Sequence, residues 1–202
     1  MSNYKKKITI ITPCSRPNNL IKIYLSIDFN YVNEWIIVYD GKIVDKMPNH
    51  FEFCINKTKI KEYIHTDINS FYGNSQRNFA LDNISNKNTY IYYLDDDNII
   101  HHDFYKLLDI IVDNKMYSFN QIRPDNLLRG DIIKPGYIDT SMILIDFNLC
   151  DNLRWINNIN ETDGSIYNLY ESDGYYITQC YSLNKDKHIY INNFLCYYNK
   201  LT

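Results

Sequence analysis

Residues 90–97 read Tyr-Ile-Tyr-Tyr-Leu-Asp-Asp-Asp, with Asn98 next. A strand-like run that ends in three adjacent carboxylates constrains this chain more than any other feature. Carboxylates about 5 Å apart repel by roughly 1 kcal/mol in water and roughly 3 kcal/mol at an effective dielectric of 20, so gathering them favours a cation. Oxygen-only donors at a strand's carboxyl end suit Mg²⁺ or Mn²⁺, which takes one or two carboxylates plus substrate phosphates. The triplet therefore points to a metal–nucleotide site. A solvated acidic turn before a helix starting near His102 would use the same residues, and the surrounding sequence has to choose between them.

The surroundings alternate strand and helix signals. Lys7–Thr12 is a β-branched run closed by Pro13, and Trp35–Val38, leading into Tyr39-Asp40-Gly41, is a second. Between them Leu20, Ile21, Ile23, Tyr24, Leu25 and Ile27 fit a helix over 18–29 that Pro17 helps to start. Residues 51–54 and 62–65 read as short strands, 74–84 as a helix, and 103–112 as a helix after the Asp triplet. In the second half, 116–121 and 137–144 read as strands, 152–163 as a polar loop apart from Trp155, 173–183 as a helix, and 189–191 as the start of a final strand. This alternation predicts an α/β fold with a central, mainly parallel sheet, in which ligands collect beyond the strands' carboxyl ends. The Asp triplet stands at such an end.

Composition excludes several alternatives. At 202 residues the chain suits one domain, with no repeat or linker. The five cysteines are odd in number, widely spaced and without a C-x-x-C pair, so they read as reduced core thiols. A net charge of −3 argues against a nucleic-acid partner. Lys5–Lys7 is the single basic run, no stretch has the length and apolarity of a transmembrane helix, and the segment after the lysines is too short for a signal peptide. The expectation is a soluble, cytoplasmic protein. Twenty tyrosines beside many Asn, Ile and Lys reflect a coding bias more than a carbohydrate site.

Four segments in order carry a family signal: Ile10-Ile11-Thr12-Pro13-Cys14-Ser15-Arg16-Pro17, Trp35-Ile36-Ile37-Val38-Tyr39-Asp40, Gly73-Asn74-Ser75-Gln76-Arg77-Asn78-Phe79-Ala80-Leu81 and Tyr93-Leu94-Asp95-Asp96-Asp97-Asn98. The series resembles GT-A glycosyltransferases, a Rossmann-like fold, and among them the inverting glucuronyltransferases, with their ITP-x-x-RP, W-x-x-V-x-D, QRN-x-AL and DDDN signatures. The match covers the first half well. Beyond it the resemblance thins to Tyr137-Ile138-Asp139-Thr140 and Glu171-Ser172-Asp173-Gly174. It implies one GT-A domain over 1–202, with a nucleotide-binding half (1–100) and an acceptor-binding half (101–202).

By this resemblance the backbone of Thr12 and Pro13 meets the base of the nucleotide, Asp40 accepts from the uracil N3–H, and Arg16 and Arg77 neutralise phosphate, a surface salt bridge being the alternative for each, more so for Arg16. Asp40 is equally at home as a turn former before Gly41. Strand alternation would send Asp95 and Asp97 to one face and Asp96 to the other. The resemblance makes Asp97 the direct ligand of Mn²⁺ or Mg²⁺, with Asp95 beside it, and sets Asp95 and Asp96 against the ribose and the donor sugar. Inverting transfer needs one general base. Glu171 falls where the glucuronyltransferases place theirs in a Glu-Ser sequence, and Asp173 fits the wider GT-A pattern; Asp173 would also serve as a helix N-cap. Asp139 resembles an acceptor-contacting aspartate. Trp155 would stack on a sugar or fill the core, and His101 and His102 read as an exposed helix start.

The departures bear on the donor. Leu81 stands where those enzymes carry a second arginine, and Tyr198, Asn199 and Lys200 replace a late diphosphate-contacting histidine. A neutral hexose or deoxyhexose is then at least as suitable as glucuronic acid. The expected activity is metal-dependent, inverting transfer of a sugar from a nucleotide-diphosphate donor, UDP-linked, to a hydroxyl of a glycan or glycolipid, in surface-polysaccharide synthesis. A metal-dependent nucleotidyltransferase would also use an α/β sheet and an Asp cluster, but with a Gly-rich basic loop that Cys14-Ser15-Arg16-Pro17-Asn18 is not. A non-catalytic binding relic of the same fold is the third alternative.

Overall fold

A computed structural model describes residues 6–44, 46, 48–67, 73–156 and 172–201. Among them, nine strands form one sheet: β1 (Ile8–Cys14), β2 (Val32–Asp40), β3 (Ile60–His65), β4 (Tyr90–Tyr93), β5 (Ile99–Ile100), β6 (Met116–Ile122), β7 (Leu127–Leu128), β8 (Ile143–Asp146) and β9 (His188–Tyr197). The order is β3-β2-β1-β4-β8-β6-β9-β5, with β7 beside β6. The first four lie parallel, β8 runs against β4 and β6, and β9 is parallel to β6. The helices are α1 (Leu20–Ser26), α2 (Asn74–Asp82), α3 (Phe104–Leu108) and α4 (Ser172–Leu183).

The parallel half forms because its strands are apolar on both faces. Ile8, Ile10 and Ile11 of β1 and Trp35 to Tyr39 of β2 are fully buried. β4 is equally buried yet carries three tyrosines, whose hydroxyls need partners in a dry interior. Tyr90 bonds the Val112 carbonyl, Tyr92 that of Ser141 at 3.2 Å, and Tyr93 the Tyr176 hydroxyl at 3.0 Å. The last bond ties the central strand to α4. Cys14, Cys150, Cys180 and Cys196 are buried free thiols and Cys54 is half-buried.

Several boundaries depart from the sequence reading. Residues 51–54 form turns, with Phe51 buried and Phe53 exposed, so the apolar alternation marks a loop that plugs the core with one side chain. The expected strand over 137–144 is replaced at its start: the Asp139 carboxylate accepts from Ser141 N at 3.0 Å and caps a 3-10 turn at Thr140–Met142, so β8 starts at Ile143. α3 stops at Leu108, four residues early, and the two-residue strands β5 and β7 carry too little pattern to be foreseen. The predicted loop over 152–163 is described only as far as 156.

Candidate active site

The carboxyl ends of β1, β2 and β4, the start of α2, the start of α4 and the chain after β9 enclose a cavity of about 420 Å³. It takes six aspartates (Asp40, Asp95, Asp96, Asp97, Asp139, Asp173) and two arginines (Arg16, Arg77) into its wall. Its charged side chains are therefore mostly acidic.

β4 ends at Tyr93, so the triplet lies in a turn closed by Asn98 N on the Asp95 carbonyl at 3.1 Å. Alternation of faces therefore does not apply, and the expected pairing of Asp95 with Asp97 against Asp96 gives way to another arrangement. Asp96 turns to the loop after β1. Its Oδ2 accepts from the backbone N–H of Ser15 and Arg16, both at 2.6 Å, and its Oδ1 from Arg16 Nε at 2.9 Å. The distal Arg16 nitrogen lies 2.9 Å from Asp96 Oδ1 and 2.7 Å from Asp97 Oδ2. Asp96, expected at the donor sugar, thus clamps the β1 loop, and Arg16, expected on phosphate, bridges two carboxylates.

Asp95 faces the other way. Its Oδ1 pairs with Arg77 at 2.6 Å and its Oδ2 accepts from Thr140 Oγ1 at 3.1 Å. Arg77 is nearly buried, in the first turn of α2; its other terminal nitrogen lies 3.7 Å from Asp173 Oδ1, and its guanidinium stacks 4.7 Å over Trp155. Burial opposes the charge on Arg77, but Asp95 and Asp173 outweigh it and raise its pKa above the ordinary value. Gly73 starts this helix with φ of 76°, and a Cβ there would come within 2.7 Å of Pro13 Cβ, so α2 sits directly against the end of β1. Trp155 is not open to a sugar: it is 2% exposed, stacks on Tyr176 at 4.2 Å and meets Tyr93 edge-on.

Asp173, in the first turn of α4, keeps its side chain 27% exposed toward the cavity. A Cβ on its neighbour Gly174 would lie 2.4 Å from Pro135 Cα, so the helix start is pressed onto that loop. Burial pushes the Asp173 pKa up to about 7, with Arg77 pulling it down and Asp95 and Asp139 pushing it up. Asp97 is raised to about 6, by burial first, then by Asp95, with Arg16 opposing. Glu171, the other proposed base, lies outside the described residues.

The remaining candidates divide. Pro13 lines the cavity, whereas Thr12 is fully buried and its Oγ1 accepts from Trp35 Nε1 at 2.9 Å, which leaves its side chain in the core. Asp40 reaches the cavity and also holds the following turn through Lys42 N at 3.0 Å. Asp139 borders the cavity, but its Oδ1 is engaged by Ser141 and Gln121. Lys200 points elsewhere, over the Tyr197 ring, and Tyr198 and Asn199 take the place expected of it. Asn199 N donates to Asn98 Oδ1 at 2.9 Å, and Leu201 N to the Asp97 carbonyl at 3.1 Å. Sequence reasoning missed Arg123, which lies 3.8 Å from Asp139 and 4.5 Å over Tyr198; only the fold brings it there, and no motif marks it. Thr140 was legible as part of Tyr137–Thr140, without a role.

The wall suits a hard divalent ion. Among the described residues it offers carboxylate oxygens and no histidine, and its thiol, Cys14, is held protonated by burial and by Asp96. His101, His102 and Asp103, at the start of α3, form a separate group with one ligand atom each within 4.8 Å. Lys106 Nζ stands 2.5 Å from an Asp103 oxygen and opposes a cation there.

No protein-family model matches the chain, and no curated protein does. Solved structures do. TarS of S. aureus is 14% identical over 95% of this chain and 36% of its own, with a TM-score of 0.66; its fragment 1–349, in complex with UDP, is 13% identical, 60% covered, with a TM-score of 0.62. The mannosyltransferase PcManGT from Pyrobaculum calidifontis, in complex with GDP-Man and Mn²⁺, is 10% identical over 98% of this chain and 58% of its own, at 0.60. The inositol-1-phosphate CTP transferase from T. maritima is 10% identical over 95% and 88%, at 0.52. The chain has the α/β GT-A fold, the Rossmann-like fold that glycosyltransferases share with nucleotidyltransferases. It spans about a third to three fifths of the TarS and mannosyltransferase chains. Among the described residues no helix is long and apolar enough to cross a membrane.

Proposed function

We propose that the chain is a metal-dependent, inverting glycosyltransferase that moves a sugar from a UDP-linked donor to a hydroxyl of a glycan or glycolipid, in the assembly of surface polysaccharide in the cytoplasm. The observation that carries this reading is one cavity holding both a carboxylate for a cation, Asp97, and a second carboxylate, Asp173, whose pKa of about 7 suits a general base. The UDP in the TarS complex and the GDP-Man and Mn²⁺ in the mannosyltransferase complex agree with a nucleotide-sugar donor and a metal. The glucuronyltransferase-like motifs supply the same direction from sequence.

In this reading Asp97, with Asp95 nearby, holds Mn²⁺ or Mg²⁺, which when bound supplies Lewis-acid stabilisation of the departing diphosphate. Asp40 and Pro13 flank the nucleotide. Ionised Asp173 accepts the proton of the acceptor hydroxyl as its oxygen attacks the anomeric carbon; the new C–O bond forms opposite the bond to the diphosphate, whose electrons leave with the nucleotide. Arg77 keeps Asp173 oriented. Leu81 is 4% exposed within the core, so no cation approaches the sugar from that position, which favours a neutral hexose or deoxyhexose over glucuronic acid.

The fold is shared with the CTP transferase, so fold alone does not separate sugar from nucleotidyl transfer. Against the latter stands the β1 loop, which is not glycine-rich and whose arginine is engaged by Asp96 and Asp97. Calorimetric titration with UDP and with GDP, each with Mn²⁺ and with EDTA, tests the reading. Mn²⁺-dependent binding of UDP and release of UDP from a UDP-hexose support it; binding of neither nucleotide overturns it.

A further inference from the structure

We infer that Arg16 is an exchangeable counter-ion: it holds the Asp97 oxygen that a divalent cation would take, and passes to the donor diphosphate when that cation binds. This rests on the metal-dependent reading above. The attachments of Arg16 divide into two sets. Its backbone N–H, its Nε and its distal nitrogen fasten it to Asp96, and the same distal nitrogen, 2.7 Å from Oδ2, is the one that reaches Asp97. Release of Asp97 therefore needs the planar guanidinium to swing as one unit, giving up its contacts with Asp96 Oδ1, while the backbone N–H of Arg16 stays on Asp96 Oδ2 at 2.6 Å. Asp96 stays satisfied through Ser15 N at 2.6 Å and Ser15 Oγ at 3.1 Å. Pro17, which follows, starts a 3-10 turn and fixes the backbone, so the side chain alone moves. The Arg16 side chain is 47% exposed and lines the cavity shared with Asp40 and Arg77, so it has room to turn toward a ligand there. A guanidinium and a divalent ion repel each other across one carboxylate, and that repulsion drives the exchange. A planar, multi-donor cation suits both ends of it, the carboxylate pair and a diphosphate.

Mn²⁺ binding is measured on the full chain without nucleotide, by the electron paramagnetic resonance of the free ion. Arg16→Gln is expected to bind Mn²⁺ roughly tenfold more tightly than the wild type, the size of effect that removing one like charge a few ångströms away brings. Arg16→Lys, which keeps the charge, is expected to stay near the wild type. With Mn²⁺ present the sign reverses: Arg16→Gln is expected to bind UDP roughly tenfold more weakly, because it has no charge to hand over. An Arg16→Gln protein that binds Mn²⁺ no more tightly overturns the exchange, even where the wild type binds UDP with Mn²⁺ as the function requires. Mn²⁺ bound by neither protein overturns the metal reading and the exchange together. Nitrogen-15 resonance of the wild-type arginine side chains provides a check that does not depend on a variant's fold. Added Mg²⁺ should shift the Arg16 Nε and distal-nitrogen resonances together as the guanidinium leaves both carboxylates, and an unchanged spectrum counts against the inference.

Discussion

Two arginines share one cavity wall and play opposite parts. Arg77 is 3% exposed, fixed between Asp95 and Asp173 and covered by Trp155; Arg16 is 47% exposed and held by Asp96 and Asp97 at the cavity mouth. In a dry setting an ion pair is framework, because neither partner can lose the other without leaving a buried charge unpaired. In a half-wet setting the same chemistry is labile, since water replaces either partner at little cost. The Arg77 corner therefore fixes where Asp173 stands, and the Arg16 corner is where the site can change.

The largest expected effect lies in the Arg77 corner. Asp173→Asn should lower turnover by roughly 10²–10⁴ while leaving UDP affinity in place, the loss expected for a general base. If Glu171→Gln has that effect and Asp173→Asn does not, the base lies two residues earlier. Arg77→Met keeps much of the volume against Trp155 but strips two carboxylates of their partner. Denaturant titration should find a loss of about 3 kcal/mol, at the low end for a broken buried pair because both carboxylates keep some water contact. A loss below about 1 kcal/mol would put Arg77 in the same class as Arg16 and dissolve the contrast.

Proton linkage gives the next effect. Asp97 and Asp173 are raised above the ordinary carboxylate value, so between about pH 4 and about pH 7 the folded chain binds more protons than the unfolded one. The contribution of these two groups to stability is therefore present at the acid end and is lost as pH rises through about 6 and about 7. Turnover should rise over the same window as Asp173 loses its proton. Melting curves at pH 5 and pH 7.5 check the first, a pH–rate profile the second, and stability that climbs toward pH 7.5 would contradict the assignment. The smallest effect is expected of Arg16→Gln on stability: under about 1 kcal/mol by denaturant titration, as for other exposed pairs.

The parallel half was legible because burial on both faces writes itself as continuous apolar runs, and because Arg77, Asp40 and the triplet sit at fixed offsets from those runs. What failed was local competition between backbone and side chain. Asp139 captures Ser141 N and turns a β-branched stretch into a 3-10 turn, and Asp96 captures two backbone amides of the β1 loop, which removes it from the expected sugar contact. A sequence gives a carboxylate's presence and not its partner. Thr12 and Trp155 are residue types that serve core and site alike, and here Trp35 and Tyr176 hold their side chains in the core, the commoner outcome for a tryptophan. Arg123 is set in place by pairing of β6 with β9, some seventy residues apart in the chain, which no local pattern encodes.

The bonds from Asn199 and Leu201 to the turn at Asp97 and Asn98 join residues about a hundred positions apart. Closing a loop of that length is entropically costly and slow beside the local pairing of β1, α1 and β2. The pairing of β1 with β2 needs no such closure, so the aspartate turn is the part of the cavity whose completion waits on the docking of the end of β9.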